Sequence, residues 1–64
     1  MVKVNGEELD IGGKTVAEYL KTTAYDPKYI AIEINQQIVP KSTYDSHVIN
    51  DGDSIEVVSF VGGG

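Results

Sequence analysis

Three glycines at the end of the sequence are the residues that could most clearly take part in a chemical reaction. Gly62, Gly63 and Gly64 follow Val61 directly, and a terminal Gly64 would present an α-carboxylate that is ionised at neutral pH. Because glycine has no Cβ, such an arm is slender enough to thread a narrow channel in another protein. Its carboxylate could attack the α-phosphate of ATP there, and a sulfur nucleophile could convert the acyl adenylate into a thiocarboxylate. The alternative is a frayed or added end without a role, because termini are commonly disordered.

Side-chain chemistry is sparse elsewhere. His47 is the single histidine and cysteine is absent, and no hydroxyl has the spacing of a nucleophile with a base and an orienting acid. Asp51 and Asp53 flank a glycine, but the twelve-residue calcium-loop pattern with its final Glu is missing. The Gly12–Thr15 segment is similar to the end of a phosphate-binding loop, yet the position of that motif's first glycine holds Glu8. We therefore predict no catalytic residue, no metal site and no permanently bound cofactor.

Length and charge narrow the remaining classes of function. A chain of 64 residues forms one domain with little room for an active-site cleft. The net charge of −5 argues against nucleic acid and anionic membranes as partners, because both repel an acidic protein. No apolar run approaches the ~20 residues of a membrane span, and no secretory signal is visible. We therefore expect a cytoplasmic protein that is not itself an enzyme and whose chemistry takes place in a partner's active site.

The periodicity of apolar residues predicts a hairpin and one helix in the first half of the chain. Apolar and polar residues alternate on both sides of an Asn-Gly turn, which predicts inward-facing positions at Val2, Val4, Leu9 and Ile11. A capping box at Thr15–Glu18 predicts the start of a short helix. This helix of roughly ten residues, too short to be stable alone, would bury a stripe made of Val16, Tyr19, Leu20 and Thr23.

Further strands are predicted after the helix, at Ile30–Ile34, at a short Ile38–Val39 and at Ser54–Val61. Two strands, one helix and further strands are typical of an α+β fold in which the helix packs across a mixed sheet. The β-grasp, or ubiquitin-like, arrangement fits this order and length. We expect a β-grasp domain over residues 1–61 and a flexible glycine tail over residues 62–64.

The last predicted strand has apolar residues on both faces. If Ile55 and Val57 point towards the helix, Val58 and Phe60 point to solvent just before the tail. One interpretation is a docking patch, Val58 and Phe60, that sets the tail in a partner's active site. The other is that these are ordinary exposed apolar residues, which need no explanation when they occur singly.

Several segments occur in the order and spacing of a known family: Ala31–Asn35, Ile38–Lys41, Tyr44, Asp51–Val58 and the terminal glycines. With them, nearly the whole chain resembles the ThiS family, ubiquitin-like sulfur carriers of thiamine biosynthesis. The family often has glycine at the position of Gln36, arginine at Lys41 and tryptophan at Tyr44. These replacements leave the expected fold unchanged, although lysine lacks the bidentate fork of arginine.

The resemblance implies a sequence of partners. An adenylating enzyme related to ubiquitin-activating enzymes would use ATP to activate Gly64, and sulfur from a desulfurase persulfide would then replace the adenylate. The thiocarboxylate on Gly64 would give its sulfur to a thiazole synthase that builds the thiazole ring of thiamine. Gly62 and Gly63 would give the tail access to these sites, and Val58 with Phe60 would lie on the strand that meets the partners.

Two alternatives to the thiamine carrier stay open at this stage. The same carrier chemistry could serve another pathway of the molybdopterin type, in which relatives are usually longer. The chain could also be a β-grasp interaction module without covalent chemistry, and its tail would then be an idle end.

Overall fold

The computed structural model describes residues 1–60, and within them a five-stranded mixed sheet carries one α-helix across one face. The elements, in chain order, are β1 (Val2–Val4), β2 (Glu7–Leu9), α1 (Val16–Lys21), a 3-10 turn (Pro27–Tyr29), β3 (Ile30–Ile34), β4 (Gln37–Ile38), a second 3-10 turn (Lys41–Thr43) and β5 (Ser54–Ser59). The strand order across the sheet is β2-β1-β5-β3-β4. Strands β1 and β5 are parallel, and the other neighbouring pairs are antiparallel. The predicted α+β, β-grasp fold is confirmed. Residue 61 and the predicted tail, residues 62–64, lie outside the described residues.

Two tight turns set the strand pairing at the two edges of the sheet. Asn5 and Gly6 join β1 to β2 with φ values of 51° and 87°, which is the left-handed geometry that a two-residue hairpin needs. Asn35 and Gln36 join β3 to β4 in the same way, with φ values of 52° and 70°. Because Gln36 carries a Cβ, it occupies this region at a cost of about 1–2 kcal/mol that glycine would avoid.

The helix α1 begins at the predicted capping box. The backbone N–H of Glu18 donates to the Thr15 hydroxyl over 3.1 Å, and the backbone N–H of Thr15 donates to the Glu18 carboxylate over 2.8 Å. The predicted length of roughly ten residues was wrong, because α1 has 6 residues. The hydroxyls of Thr22 and Thr23 donate back to the carbonyls of Tyr19 and Leu20, and these local bonds compete with helix continuation.

One hydrophobic core lies between α1 and the sheet. The predicted inward residues of β1, β3 and β5 are buried, and Ile11 is buried as well although it lies beyond the end of β2. The prediction for β4 was wrong by one residue. The two-residue turn pairs Ile34 with Gln37, so the strand is Gln37–Ile38, with Ile38 65% exposed and Val39 buried. Across residues 1–60, no helix has the length and apolar character needed to cross a membrane.

Candidate functional site

The second half of β5 and the residue after it present apolar side chains on the sheet face opposite α1. Ile55 and Val57 are buried towards the helix, whereas Val58 and Phe60 are 46% and 50% exposed. The alternation follows from the pleat, which sends successive side chains to opposite faces of the sheet. The predicted exposure of Val58 and Phe60 is confirmed, and the described part of the strand brings them next to the position where the glycines follow in the sequence.

Two residues of β3 and its entry extend this surface. Ala31 is the register partner of Val58, and the backbone N–H of Phe60 donates to the carbonyl of Tyr29 over 2.7 Å. Tyr29 is 48% exposed. We call Tyr29, Ala31, Val58 and Phe60 the outer patch. The sequence prediction missed Tyr29, although its place one residue before the inward-facing Ile30 was a usable signal.

A cation borders the outer patch. The Nζ atom of Lys41 lies 5.9 Å from the centroid of the Phe60 ring, a cation–π distance that contributes about 0.5–1 kcal/mol at an exposed site. Lys41 begins the second 3-10 turn, which Pro40 introduces after β4. The contact therefore ties the end of β5 to the loop that follows β4, and it places positive charge beside the patch of an acidic protein.

Behind this loop lies a groove of about 300 Å³ between α1 and the second 3-10 turn, lined in part by Leu20, Lys41 and Tyr44. The Tyr44 side chain is buried, and its hydroxyl has no hydrogen-bond partner among residues 1–60. Burial raises the pKa of Tyr44, an effect that the nearby backbone of Ile32 partly opposes. The aromatic ring of Tyr44 is thus part of the hydrophobic core.

The other residues considered in the sequence analysis make structural contacts. Asp53 accepts hydrogen bonds from the Asn35 side chain and from the backbone N–H of Asn50, over 3.0 and 2.8 Å. Asp51 contacts the N-terminal amine. The carbonyl of His47 accepts the backbone N–H of Val16 at the start of α1. In the described part of the chain, no group of three His, Cys, Asp or Glu side chains could hold a metal ion.

The Gly12–Thr15 segment is also structural. Gly13 has φ 95°, and a Cβ on Gly12 would lie 3.3 Å from the backbone nitrogen of Asp51. The two glycines thus allow a close turn into the capped helix. The predicted modification residue Gly64 and the predicted access residues Gly62 and Gly63 lie beyond the residues that the structure describes.

Comparison with known proteins connects this geometry to a family. The family model described as "ThiS family" matches residues 2–64. A thiazole synthase from Paramagnetospirillum magneticum (strain ATCC 700264 / AMB-1) is 44% identical over 62 residues, which are 95% of this chain and 19% of the synthase. The chain therefore spans about a fifth of the length of that relative.

Two further relatives match the chain over nearly all of its length. The sulfur carrier protein ThiS from Bacillus subtilis (strain 168) is 34% identical over 68 residues, covering 100% of both chains. The crystal structure of the thiamine biosynthesis protein (ThiS) from Geobacter metallireducens aligns with a TM-score of 0.80 and 28% identity, over 98% of this chain and 97% of that one. Sequence and fold agree, and the chain belongs to the ThiS family.

Proposed function

We propose that this protein carries sulfur as a thiocarboxylate on Gly64, for formation of the thiazole ring of thiamine. The observation that carries the proposal is the family match, which continues through the glycines to residue 64. The outer patch at the end of β5 supports it, because it offers a partner an apolar surface beside the strand that leads to those glycines. No side chain of the described domain takes part in the chemistry.

The proposed activation takes place in an adenylating enzyme that binds ATP. The carboxylate oxygen of Gly64 attacks the α-phosphorus of ATP, and pyrophosphate leaves, so that an acyl adenylate forms. The terminal sulfur of a desulfurase persulfide then attacks the activated carbonyl and displaces AMP, which gives an acyl disulfide. A thiol reductant cleaves the S–S bond of this intermediate, and the sulfur remains on Gly64 as the thiocarboxylate. Gly62 and Gly63 provide the slender arm that reaches the enzyme's active site.

The proposed consumer of the sulfur is a thiazole synthase. A relative of that name contains a segment that is 44% identical to this chain, so carrier and synthase sequences occur together in one polypeptide. Proteins that act in succession gain from such a tether, because it raises their effective concentration for each other. In this proposal, the present chain supplies the sulfur, and the synthase supplies the catalytic residues.

Intact-mass measurement tests the covalent step. The protein is incubated with ATP, an adenylating enzyme and a persulfide source, and we expect a mass increase of one sulfur-for-oxygen exchange that fragmentation localises to Gly64. A variant lacking Gly63 and Gly64 is the control, since it retains every described residue and should fold but gain no sulfur. Absence of the exchange at Gly64, under conditions that convert the Bacillus subtilis relative, would contradict the carrier mechanism.

A further inference from the structure

Strand β5 continues past the end of its neighbour β1. The last register partner of β1 is Val4, opposite Ile55, whereas β5 runs on to Ser59. Asn5 closes the shared part of the ladder: its backbone N–H donates to the carbonyl of Ile55, and its side-chain oxygen accepts the N–H of Val57, both over 2.9 Å. The chain then turns back into β2, so among residues 1–60 no strand lies beside β5 beyond Val57 on that side.

The hydrogen bonds to β3 show which backbone groups face the open side. Ser54 accepts the N–H of Asn35, and Phe60 donates to the carbonyl of Tyr29, so the even-numbered residues of β5 bond to β3. In an antiparallel pair the residues between them point their N–H and C=O groups away. The C=O of Val57 and both backbone groups of Ser59 therefore point to the open side, and no residue within 1–60 forms a hydrogen bond with them.

Among the described residues, this free edge lacks the usual protection against pairing. Natural sheets guard exposed edges with charged residues, proline or a covering segment. The edge segment from Val57 to Phe60 contains neither charge nor proline, and Val58, Ser59 and Phe60 are exposed. The outer edge of β4 differs, since that strand has only two residues and Pro40 follows shortly after it.

We propose that an extended segment of the thiazole synthase adds to this edge as a further strand, and that it bonds to Val57 and Ser59. The inference rests on the proposed function, and the synthase is chosen because a relative of that name contains a segment similar to this chain. Strand addition draws affinity from main-chain hydrogen bonds. The outer patch would supply apolar contact area, while the added strand would fix the direction in which the chain runs on towards its glycines.

Replacing one amide by an ester tests the proposal. In a chemically synthesised chain, the backbone N–H of Ser59 is replaced by an ester oxygen and the serine side chain is kept. The matched control carries the ester at Ile38, whose N–H points away from β3 because Val39 donates to Ile32. An ester also weakens the carbonyl of the residue before it as a hydrogen-bond acceptor. In the two variants these carbonyls belong to Val58 and Gln37, and both face β3. The two variants should therefore lose similar stability.

Calorimetric titration of each variant against the thiazole synthase gives the readout. We expect the Ser59 ester to raise the Kd by about 3- to 10-fold, the range for one lost hydrogen bond, and the Ile38 ester to leave it unchanged. We also expect hydrogen exchange of the Ser59 amide in the unmodified chain to slow on binding.

Three results would overturn the proposal. Equal affinities for the two esters, or unchanged exchange at Ser59 in the complex, would refute the added strand without contradicting the sulfur-carrier function. Failure of the unmodified chain to bind the synthase would refute both the strand addition and the choice of the synthase as partner. The mass experiment on Gly64 is independent of all three, so failure of the carrier chemistry remains distinguishable.

Discussion

Val58 illustrates how one residue type serves two purposes in this small domain. Valine is among the residues most often buried in proteins, and Val57, the preceding residue, is buried against the helix. Val58 instead faces solvent beside Phe60, and the pleat alone separates the two roles. Exposure of this kind contributes nothing to the core, so a substitution of Val58 tests the proposed docking with little change in stability.

We expect Val58→Asp to raise the Kd for the adenylating enzyme at least about 10-fold, or about 1.4 kcal/mol, because a carboxylate would be desolvated in an apolar contact. Val48→Asp is the control, since Val48 is also 46% exposed but lies outside the outer patch. Calorimetry and thermal unfolding check the pair. A similar loss of affinity in both variants would exclude the outer patch as the docking surface, and a large fall in Tm for Val58→Asp alone would show that Val58 is a core residue.

At the scale of elements, the pairing of β3 with β5 contains an unfavourable contact. Glu33 and Glu56 are register partners, and like charges directly opposite each other on a sheet are destabilising. No ion pair to either carboxylate is present among residues 1–60. The hairpin of β1 and β2 has the opposite arrangement, since Lys3 faces Glu8 in the register.

We therefore expect Glu56→Gln to raise the free energy of unfolding by a few tenths of a kcal/mol, within the ~0.2–1 kcal/mol range of cross-strand pairs. Glu8→Gln should lower it slightly, because that change removes a charge opposite Lys3. Denaturant titration at low and high salt checks both, and both effects should shrink as salt screens the charges. Destabilisation by Glu56→Gln would show that the carboxylate makes a favourable interaction instead.

Much of this fold could be predicted from the sequence, because its strongest signals are local. The Asn5-Gly6 turn, the Thr15–Glu18 capping box and the alternating isoleucines of β3 each determine structure through neighbours in the chain. The errors arose where side-chain hydrogen bonds compete with the helix, or where a residue adopts a backbone conformation that its type does not favour. The hydroxyls of Thr22 and Thr23 end the helix early, and a left-handed Gln36 shifts β4 by one residue.

The candidate site also contains features that could be predicted from the sequence and features that could not. The exposure of Val58 and Phe60 followed from the period of a strand, so it could be predicted. Tyr29 joins the outer patch through a pairing between β3 and β5, and the free edge beside Ser59 exists because β1 ends at Val4. The alternation of Tyr29 with Ile30 predicts an exposed tyrosine, but its place beside Phe60 and the free edge depend on which strands are neighbours in the sheet.

For the whole molecule, alkaline pH tests how strongly burial in the core favours the protonated forms of Tyr19 and Tyr44. Burial raises the pKa of Tyr19 and of Tyr44, and for Tyr19 the nearby Tyr25 and Glu7 add to the shift. The folded state therefore holds these protons more tightly than the unfolded state, in which tyrosine titrates near pH ~10. The stabilisation is complete below that pH and is lost as the pH rises through the folded-state values.

We expect the free energy of unfolding to fall above pH ~10, and we expect a Tyr19→Phe, Tyr44→Phe double variant to show a shallower decline. Tyr29→Phe is the control, because it removes a tyrosine hydroxyl from an exposed position outside the core. Denaturant titrations at a series of pH values check the three proteins. An equally steep decline in the double variant would show that other groups control alkaline unfolding.

The position of β5 has a consequence for biosynthesis. This strand is the last described element in the chain, yet it lies in the middle of the sheet between β1 and β3. While the ribosome still holds β5, the segments that have already emerged have no central strand on which to assemble, so the native sheet forms only after β5 has left the ribosome. A chain terminated before β5 would expose its isoleucines and become a substrate for proteases. Quality control would then remove the very molecules that lack the strand leading to the glycines.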